Sequence, residues 1–70
     1  MLRVYKICLD NNITFSELAL YLNYSYVAVA HMFKMKFDIK LDTLKLIKSY
    51  FVSRNLISSE CDLGYLVDII

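Results

Sequence analysis

Residues 13–34 read ITFSELALYLNYSYVAVAHMFK, and they predict two short helices joined by a tight turn. Thr14 and Glu17 have the spacing of a capping box, in which a Thr hydroxyl and a Glu carboxylate each accept a backbone N–H that otherwise lacks a partner. We assign both residues to capping alone. A helix is therefore expected to begin at Phe15.

Asn23 and Ser25 define the turn that follows this helix. Asn is the commonest non-glycine residue in the left-handed conformation that ends helices. Ser25 is then placed to cap a further helix over residues 26–34. Tyr24, between them, is expected to pack in the core. Two short helices around such a turn are the layout of a helix-turn-helix, here at about residues 15–34.

Apolar spacing predicts two more helices around this motif. The first covers residues 2–9, and the fourth covers residues 42–51. On the fourth helix, either Leu46 or Ile47 belongs to the inward face. The other residues predicted for that face are Leu41, Leu44 and Phe51.

The last segment, residues 58–70, is open between a helix and a strand. Ser58 or Ser59 could cap a helix there, but Gly64 weakens a helix by about 1 kcal/mol. An extended strand over residues 65–70 is the alternative. If the segment is helical, one of its faces covers the domain's own core; that face holds Leu63, Leu66, Val67 and Ile70.

Four segments stand in the order and register of one known family. Residues 13–19 (ITFSELA) correspond to the family pattern l-t-x-x-e-L-A, and residues 22–25 (LNYS) correspond to L-G-V-S. Residues 29–32 (VAHM) stand where the family has I-S-R-I, and residues 41–51 (LDTLKLIKSYF) resemble L-E-T-L-x-x-I-A-x-x-L. The chain thus resembles the Cro/CI-type (xenobiotic-response-element) helix-turn-helix regulators of phages and bacteria.

The chain departs from this family at several positions. Phe15 stands where the family has a Gln that commonly contacts a phosphate, and Asn23 and Met35 stand where it has turn glycines. Many members of the family form an ion pair between an Arg and a Glu, at two positions where this chain has Cys8 and Phe33. Losing both halves of a buried ion pair to apolar residues is often neutral for stability, so we expect the fold to be retained.

The resemblance implies an all-α, compact five-helix Cro/CI-like (lambda-repressor-like) domain over residues 1–70. It implies a sequence-specific DNA-binding transcriptional regulator, a repressor of phage or mobile-element type that binds double-stranded DNA. The base-facing residues that it implies are Ser25, Tyr26, Val27, Ala30 and His31. The phosphate-contacting residues that it implies are Lys34, Lys36 and Lys40.

The implied base-facing residues are poor in polar atoms. None is the Arg, Gln or Asn that gives bidentate base contacts, whereas Val27 can contact a thymine methyl group. We therefore expect a preference for A·T-rich operators through methyl contact and DNA shape. The same apolar surface supports an alternative, a degenerate helix-turn-helix that acts as a protein-interaction module, such as an antirepressor or partner-binding subunit.

Residues 55–70 lie beyond the family match and are expected to cap the domain and form a homodimer. The segment has no basic residue and is strongly apolar. A two-fold partner also suits a recognition helix that must meet two half-sites about one DNA turn apart. The predicted dimer interface consists of Tyr65, Leu66 and Ile69.

Composition excludes several other classes of protein. With 59% hydrophobic and 21% charged residues and a net charge of +1, the chain is not intrinsically disordered. Its basic part is residues 34–48, with five lysines against two aspartates. Cys8 and Cys61 have no metal-ligand spacing, and both are expected to be small core residues in a reducing cytoplasm.

No enzymatic or membrane signature stands in the sequence. A Ser/His/Asp set, a carboxylate pair and a phosphate-binding glycine loop are all missing, so we expect no enzyme, no cofactor and no metal. The longest uncharged run, residues 18–33, falls short of the roughly 20 residues that a spanning helix needs. We therefore expect a cytoplasmic protein.

Overall fold

The computed structural model describes residues 1–34 and 39–70. These residues form five α-helices and one isolated antiparallel β-bridge, between Leu2 and Ile69, and no longer strand. The predicted all-α class with five helices is confirmed for this part of the chain. Met35 and Lys36 lie outside the described residues. The helices are α1 (Arg3–Asp10), α2 (Phe15–Leu22), α3 (Tyr26–Phe33), α4 (Leu41–Ser53) and α5 (Leu63–Val67).

The start of α2 is capped by Thr14, as predicted. Its Oγ1 accepts the backbone N–H of Glu17 at 3.1 Å, and Thr14 itself is extended. The Glu17 carboxylate accepts instead from the Thr14 hydroxyl and from Arg54 Nη1, each at 3.4 Å. The assignment of Glu17 to capping alone was therefore wrong, because an arginine at the end of α4 lies within reach of its carboxylate.

The turn between α2 and α3 has the predicted form. Asn23 is left-handed, with φ 59° and ψ 41°, and the next N–H, that of Tyr24, donates to Ala19 O at 2.9 Å. Ser25 Oγ accepts the N–H of Ala28 at 3.1 Å and so caps α3. Local hydrogen bonds therefore determine both ends of the turn.

The core is built from residues of all five helices, with α2 packed on α3 and α4, and α5 packed on α1 and α4. On α4, Ile47 is fully buried and Leu46 is exposed, so Ile47 is the one that belongs to the inward face. Leu41 is 59% exposed, so its predicted place on the inward face was wrong. It is the first residue of α4, about 120° around the helix from Ile47. The fully buried residues include Leu18, Val29, Ile47, Phe51 and Leu66.

The C-terminal segment is helical first and extended afterwards. α5 is capped by Asp62, whose Oδ1 accepts the N–H of Gly64 at 3.2 Å; Ser58 caps a preceding turn instead. After α5 the chain is extended, and the N–H of Arg3 donates to Asp68 O at 2.8 Å. The helical alternative is therefore right for residues 63–67, and the strand alternative over residues 65–70 was wrong, because the extended end forms only the isolated bridge at Ile69.

Only part of the predicted inward face of α5 is buried. Leu66 is 0% exposed and Leu63 is half-buried. Val67 is 38% and Ile70 is 51% exposed, so their predicted burial was wrong. Ile70 lies beyond the end of α5, where side chains no longer follow helical spacing, and Val67 is the last residue of the helix.

The two cysteines have different environments. Cys8 is 1% exposed, and burial raises the pKa of its thiol to about 12. Cys61 is half-buried, with its thiol 3.6 Å from Asp62 O, so it is not the core residue that was expected. Cys61 precedes α5 rather than lying in it, which leaves its side chain near the surface. Both thiols are free.

Candidate nucleic-acid interface

The first turn of α3 presents its side chains to solvent. Tyr26 is 55% exposed and Val27 is 57% exposed, and Ser25 before them is exposed as well. The Ser25 hydroxyl accepts a hydrogen bond in its capping role and keeps its own hydrogen to donate elsewhere. These three predicted base-facing residues lie together at one end of α3.

The second turn of α3 differs from the prediction. Ala30 is only 8% exposed, so its place on the exposed face was wrong. It lies one turn after Tyr26 and one before Phe33, and its methyl group does not extend past these larger neighbours. His31 is half-buried and takes part in an interaction within the structure. Ala30 is therefore a packing residue, and the exposed surface narrows toward the middle of the helix.

The ring of Tyr26 packs against a cluster of aromatic rings. The ring of Phe15 lies 5.7 Å from that of Tyr26, and 5.4 Å from both the Phe33 and the Tyr5 rings. Phe15 thus packs against Tyr26, one of the predicted base-facing residues, and has no polar group to offer a phosphate. This contact was not predicted from the sequence; the signal for it is that Phe15 and Tyr26 are each the first residue of their helix.

Two of the three predicted phosphate-contacting lysines, Lys34 and Lys40, lie at helix ends. Lys34 follows α3 as its C-terminal cap, and Lys40 precedes α4 as its N-terminal cap. Both are exposed, and neither forms an ion pair with another residue of 1–34 or 39–70. Lys36 lies outside the described residues. Lys34 therefore offers an exposed cation at the end of α3, and Lys40 offers one at the start of α4.

Tyr24 lies at the surface and joins the turn to α4. It is 39% exposed, so the expectation that it packs in the core was wrong. Its hydroxyl lies 2.6 Å from Thr43 Oγ1, and Thr43 is 3% exposed. A phenol that must reach a buried hydroxyl from the turn leaves one side of its ring in solvent.

The outer side of α2 carries further exposed aromatic and aliphatic groups. Leu20 is 85% exposed, and the ring of Tyr21, which is 46% exposed, lies 4.9 Å from that of Tyr50. Arg54 Nη1 donates to the Tyr50 hydroxyl at 2.7 Å and reaches Glu17.

The predicted dimer residues have different environments. Leu66 is fully buried in its own domain, so its place at an interface was wrong; it faces inward because α5 packs on α1 and α4. Tyr65 is 43% exposed, and the guanidinium of Arg3 lies 4.0 Å from its ring centre. Ile69 is 69% exposed and pairs with Leu2 outside α5. Two of the three predicted residues are therefore accessible.

Metal-binding clusters and membrane-spanning helices are both missing from the part of the chain that the structure describes. Within residues 1–34 and 39–70 there is no group of three or more His, Cys, Asp or Glu side chains that could hold a metal ion. In the same residues no helix is long and apolar enough to cross a membrane. In comparisons with known proteins, no family model, no curated protein and no solved structure matches the chain.

Proposed function

We propose that this chain is a sequence-specific DNA-binding transcriptional regulator of the Cro/CI-like helix-turn-helix type. The observation that carries the proposal is the exposed first turn of α3, which follows a left-handed Asn23 and places Tyr26 and Val27 in solvent. A recognition helix meets base edges through such N-terminal residues. The resemblance in sequence order is the second support.

The proposed contacts divide into base and phosphate contacts. Val27 contacts thymine methyl groups, and Tyr26 offers one hydroxyl and an apolar ring, so A·T-rich sequence is favoured. His31, half-buried, contributes at most an edge of its ring. Lys34 and Lys40 contact phosphates and provide most of the salt-dependent affinity. Direct recognition of base edges is therefore weak, and sequence specificity depends on the fit between the protein surface and the shape of the DNA.

We propose a homodimer as the binding unit, because one recognition helix of eight residues contacts few base pairs. Tyr65 and Ile69 are the accessible members of the proposed interface. A two-fold arrangement would place two copies of α3 in successive major grooves.

The second candidate function is a protein-interaction module built on the same helices. One observation favours it: Leu20 is 85% exposed beside Tyr21, on a side of α2 that has no lysine. Aromatic and large aliphatic side chains of this kind form the centres of protein–protein interfaces. A protein-interaction module does not have to bind a polyanion, and the low net charge of +1 is consistent with this proposal.

Selection of bound sequences from random duplex DNA, repeated at two salt concentrations, tests the two proposals. The DNA-binding proposal expects an A·T-rich motif in two half-sites about 10 base pairs apart, enriched at both salt concentrations. A matched selection with Tyr26→Ala and Val27→Ala together is expected to lose the motif. Absence of enrichment at both salt concentrations would favour the protein-interaction module.

A further inference from the structure

A cavity of about 380 Å³ lies between the end of α1 and the start of α2. It is at the lower end of the range of small-molecule sites, which are mostly apolar with a few polar groups. It is open to solvent, and its lining includes both Leu9, which is 51% exposed, and Cys8, which is 1% exposed. Its lining includes Tyr5, Cys8, Leu9, Asn12, Ile13 and Phe15.

The lining of this cavity has a definite chemical character. It contains no formally charged side chain, since the Cys8 thiol stays protonated when its pKa is near 12. The rings of Tyr5 and Phe15 form one wall, 5.4 Å apart and inclined by 44°. Asn12 supplies an amide that makes no side-chain hydrogen bond to another described residue. An uncharged aromatic molecule matches these walls, whereas an ion would lose its hydration without a partner.

We propose that this cavity binds a small, uncharged, planar aromatic molecule that carries one hydrogen-bonding group, with its ring against Tyr5 and Phe15 and its polar group on Asn12. The site is distinct from the base-facing residues of α3. It is also separate from the proposed dimer residues on and after α5.

Phe15 connects this site to α3. The same ring that forms the wall of the cavity lies 5.7 Å from the ring of Tyr26. A ligand that packs against Phe15 shifts this ring and removes support from Tyr26. This second part of the inference rests on the proposed DNA binding, and it makes the ligand an effector that lowers DNA affinity. DNA must then lower ligand affinity by the same factor.

Titration of the full chain with indole, followed by amide NMR, tests the site itself without DNA. Indole is planar and uncharged and has one N–H donor, and we expect saturable binding in the millimolar range with shifts centred on Cys8, Asn12 and Phe15. Indole-3-carboxylate has the same ring with a charge, and we expect it to bind about tenfold more weakly. Absence of saturable indole binding, or shifts centred elsewhere, would overturn the proposal.

Two substitutions at the rim sharpen this test. Leu9→Trp covers the opening, and Asn12→Gly removes the amide while suiting the left-handed backbone there, at φ 57°. Each is expected to weaken indole binding about tenfold or more. Leu20→Trp, on the exposed side of α2, is the matched control and leaves binding unchanged. Unchanged indole binding in both rim variants would contradict the assigned site.

A DNA titration with and without indole then tests the coupling. We expect weaker binding of the selected duplex in the presence of indole, and no such effect with Leu9→Trp. Indole binding without any effect on DNA affinity would retain the site and overturn the coupling through Phe15. A chain that binds indole but no DNA would overturn the proposed function and leave the site in place, so the two failures are distinguishable.

Discussion

The hydroxyl of Tyr24 lies 2.6 Å from Thr43 Oγ1, and this hydrogen bond joins the helix-turn-helix turn to α4. Thr43 is 3% exposed, so its hydroxyl has little access to water, whereas Tyr24 is 39% exposed. A buried polar group is costly when its partner is removed. The turn that presents α3 is thus held to the core by one polar contact.

Tyr24→Phe is expected to lower the free energy of unfolding by about 1–3 kcal/mol, because it leaves the Thr43 hydroxyl without its partner. Thr43→Val in the same chain should recover much of this loss, since both partners are then apolar. Urea unfolding of the two single variants and the double variant measures the coupling. Additive losses would contradict the assigned hydrogen bond.

Thr14→Ala is expected to cost about 0.5–2 kcal/mol of stability, because α2 loses its N-terminal cap. Glu17→Gln should cost about 1 kcal/mol or less, since its ion pair with Arg54 is solvent-exposed. Urea unfolding measures both. Sequence preference on DNA should be the same in the folded variants, and a changed preference would show that one of the two residues contacts DNA.

Lys34→Gln combined with Lys40→Gln is expected to weaken binding to all DNA sequences alike. The slope of log affinity against log salt should fall by about 0.9 for each phosphate contact that is lost. Lys6→Gln is the control, because Lys6 is paired with Asp10 on α1 at 2.7 Å. Fluorescence anisotropy at four salt concentrations gives the slopes. An unchanged slope in the double variant would argue for the protein-interaction module.

Tyr65→Ser combined with Ile69→Ser is expected to convert the proposed dimer to a monomer and to abolish tight DNA binding. In a single chain Ile69 is 69% and Tyr65 is 43% exposed, so both leave apolar surface for a partner. Sedimentation equilibrium measures the mass. Leu20→Ser is the control, because Leu20 is 85% exposed on another surface. This variant should leave the mass unchanged. A dimer that persists in the double variant would place the interface elsewhere.

Cys8 is expected to make stability fall at alkaline pH. Burial, and to a lesser degree the charge of Glu17, raise the pKa of its thiol from 9.0 to about 12 in the folded chain. The unfolded chain therefore releases this proton first, and the contribution is intact below about pH 9 and lost progressively up to about pH 12. At pH 10 the loss is about 1.4 kcal/mol.

Comparison with Cys8→Ala isolates this contribution from other groups that titrate at alkaline pH. The variant should be less stable than the parent at pH 7 because it leaves a small cavity, and the difference should shrink as the pH rises to 10. Urea unfolding at several pH values provides the curve. A difference that is constant with pH would mean that Cys8 is ionised as readily in the folded chain as in the unfolded one.

The first four helices could be predicted closely, for a local reason. Thr14 and Ser25 accept N–H groups three residues ahead of them, and Asn23 adopts a conformation that its own type favours. Each of these helix-ending or helix-starting interactions involves only residues that are a few positions apart in the sequence. The proposed DNA contacts at Tyr26 and Val27 came from the family resemblance, and both side chains are exposed, as such contacts require.

The sequence by itself determined where α2 and α3 begin and how the turn between them closes, because each depends on hydrogen bonds inside a short segment. Only the tertiary structure decided which apolar residues are covered. Ala30 is buried and Leu41 is exposed, although helical spacing predicted the reverse for both. Spacing assigns a residue to a helix face, but burial depends on the neighbouring elements packed against that face, and these are distant in sequence. The Phe15–Tyr26 contact arises in the same way.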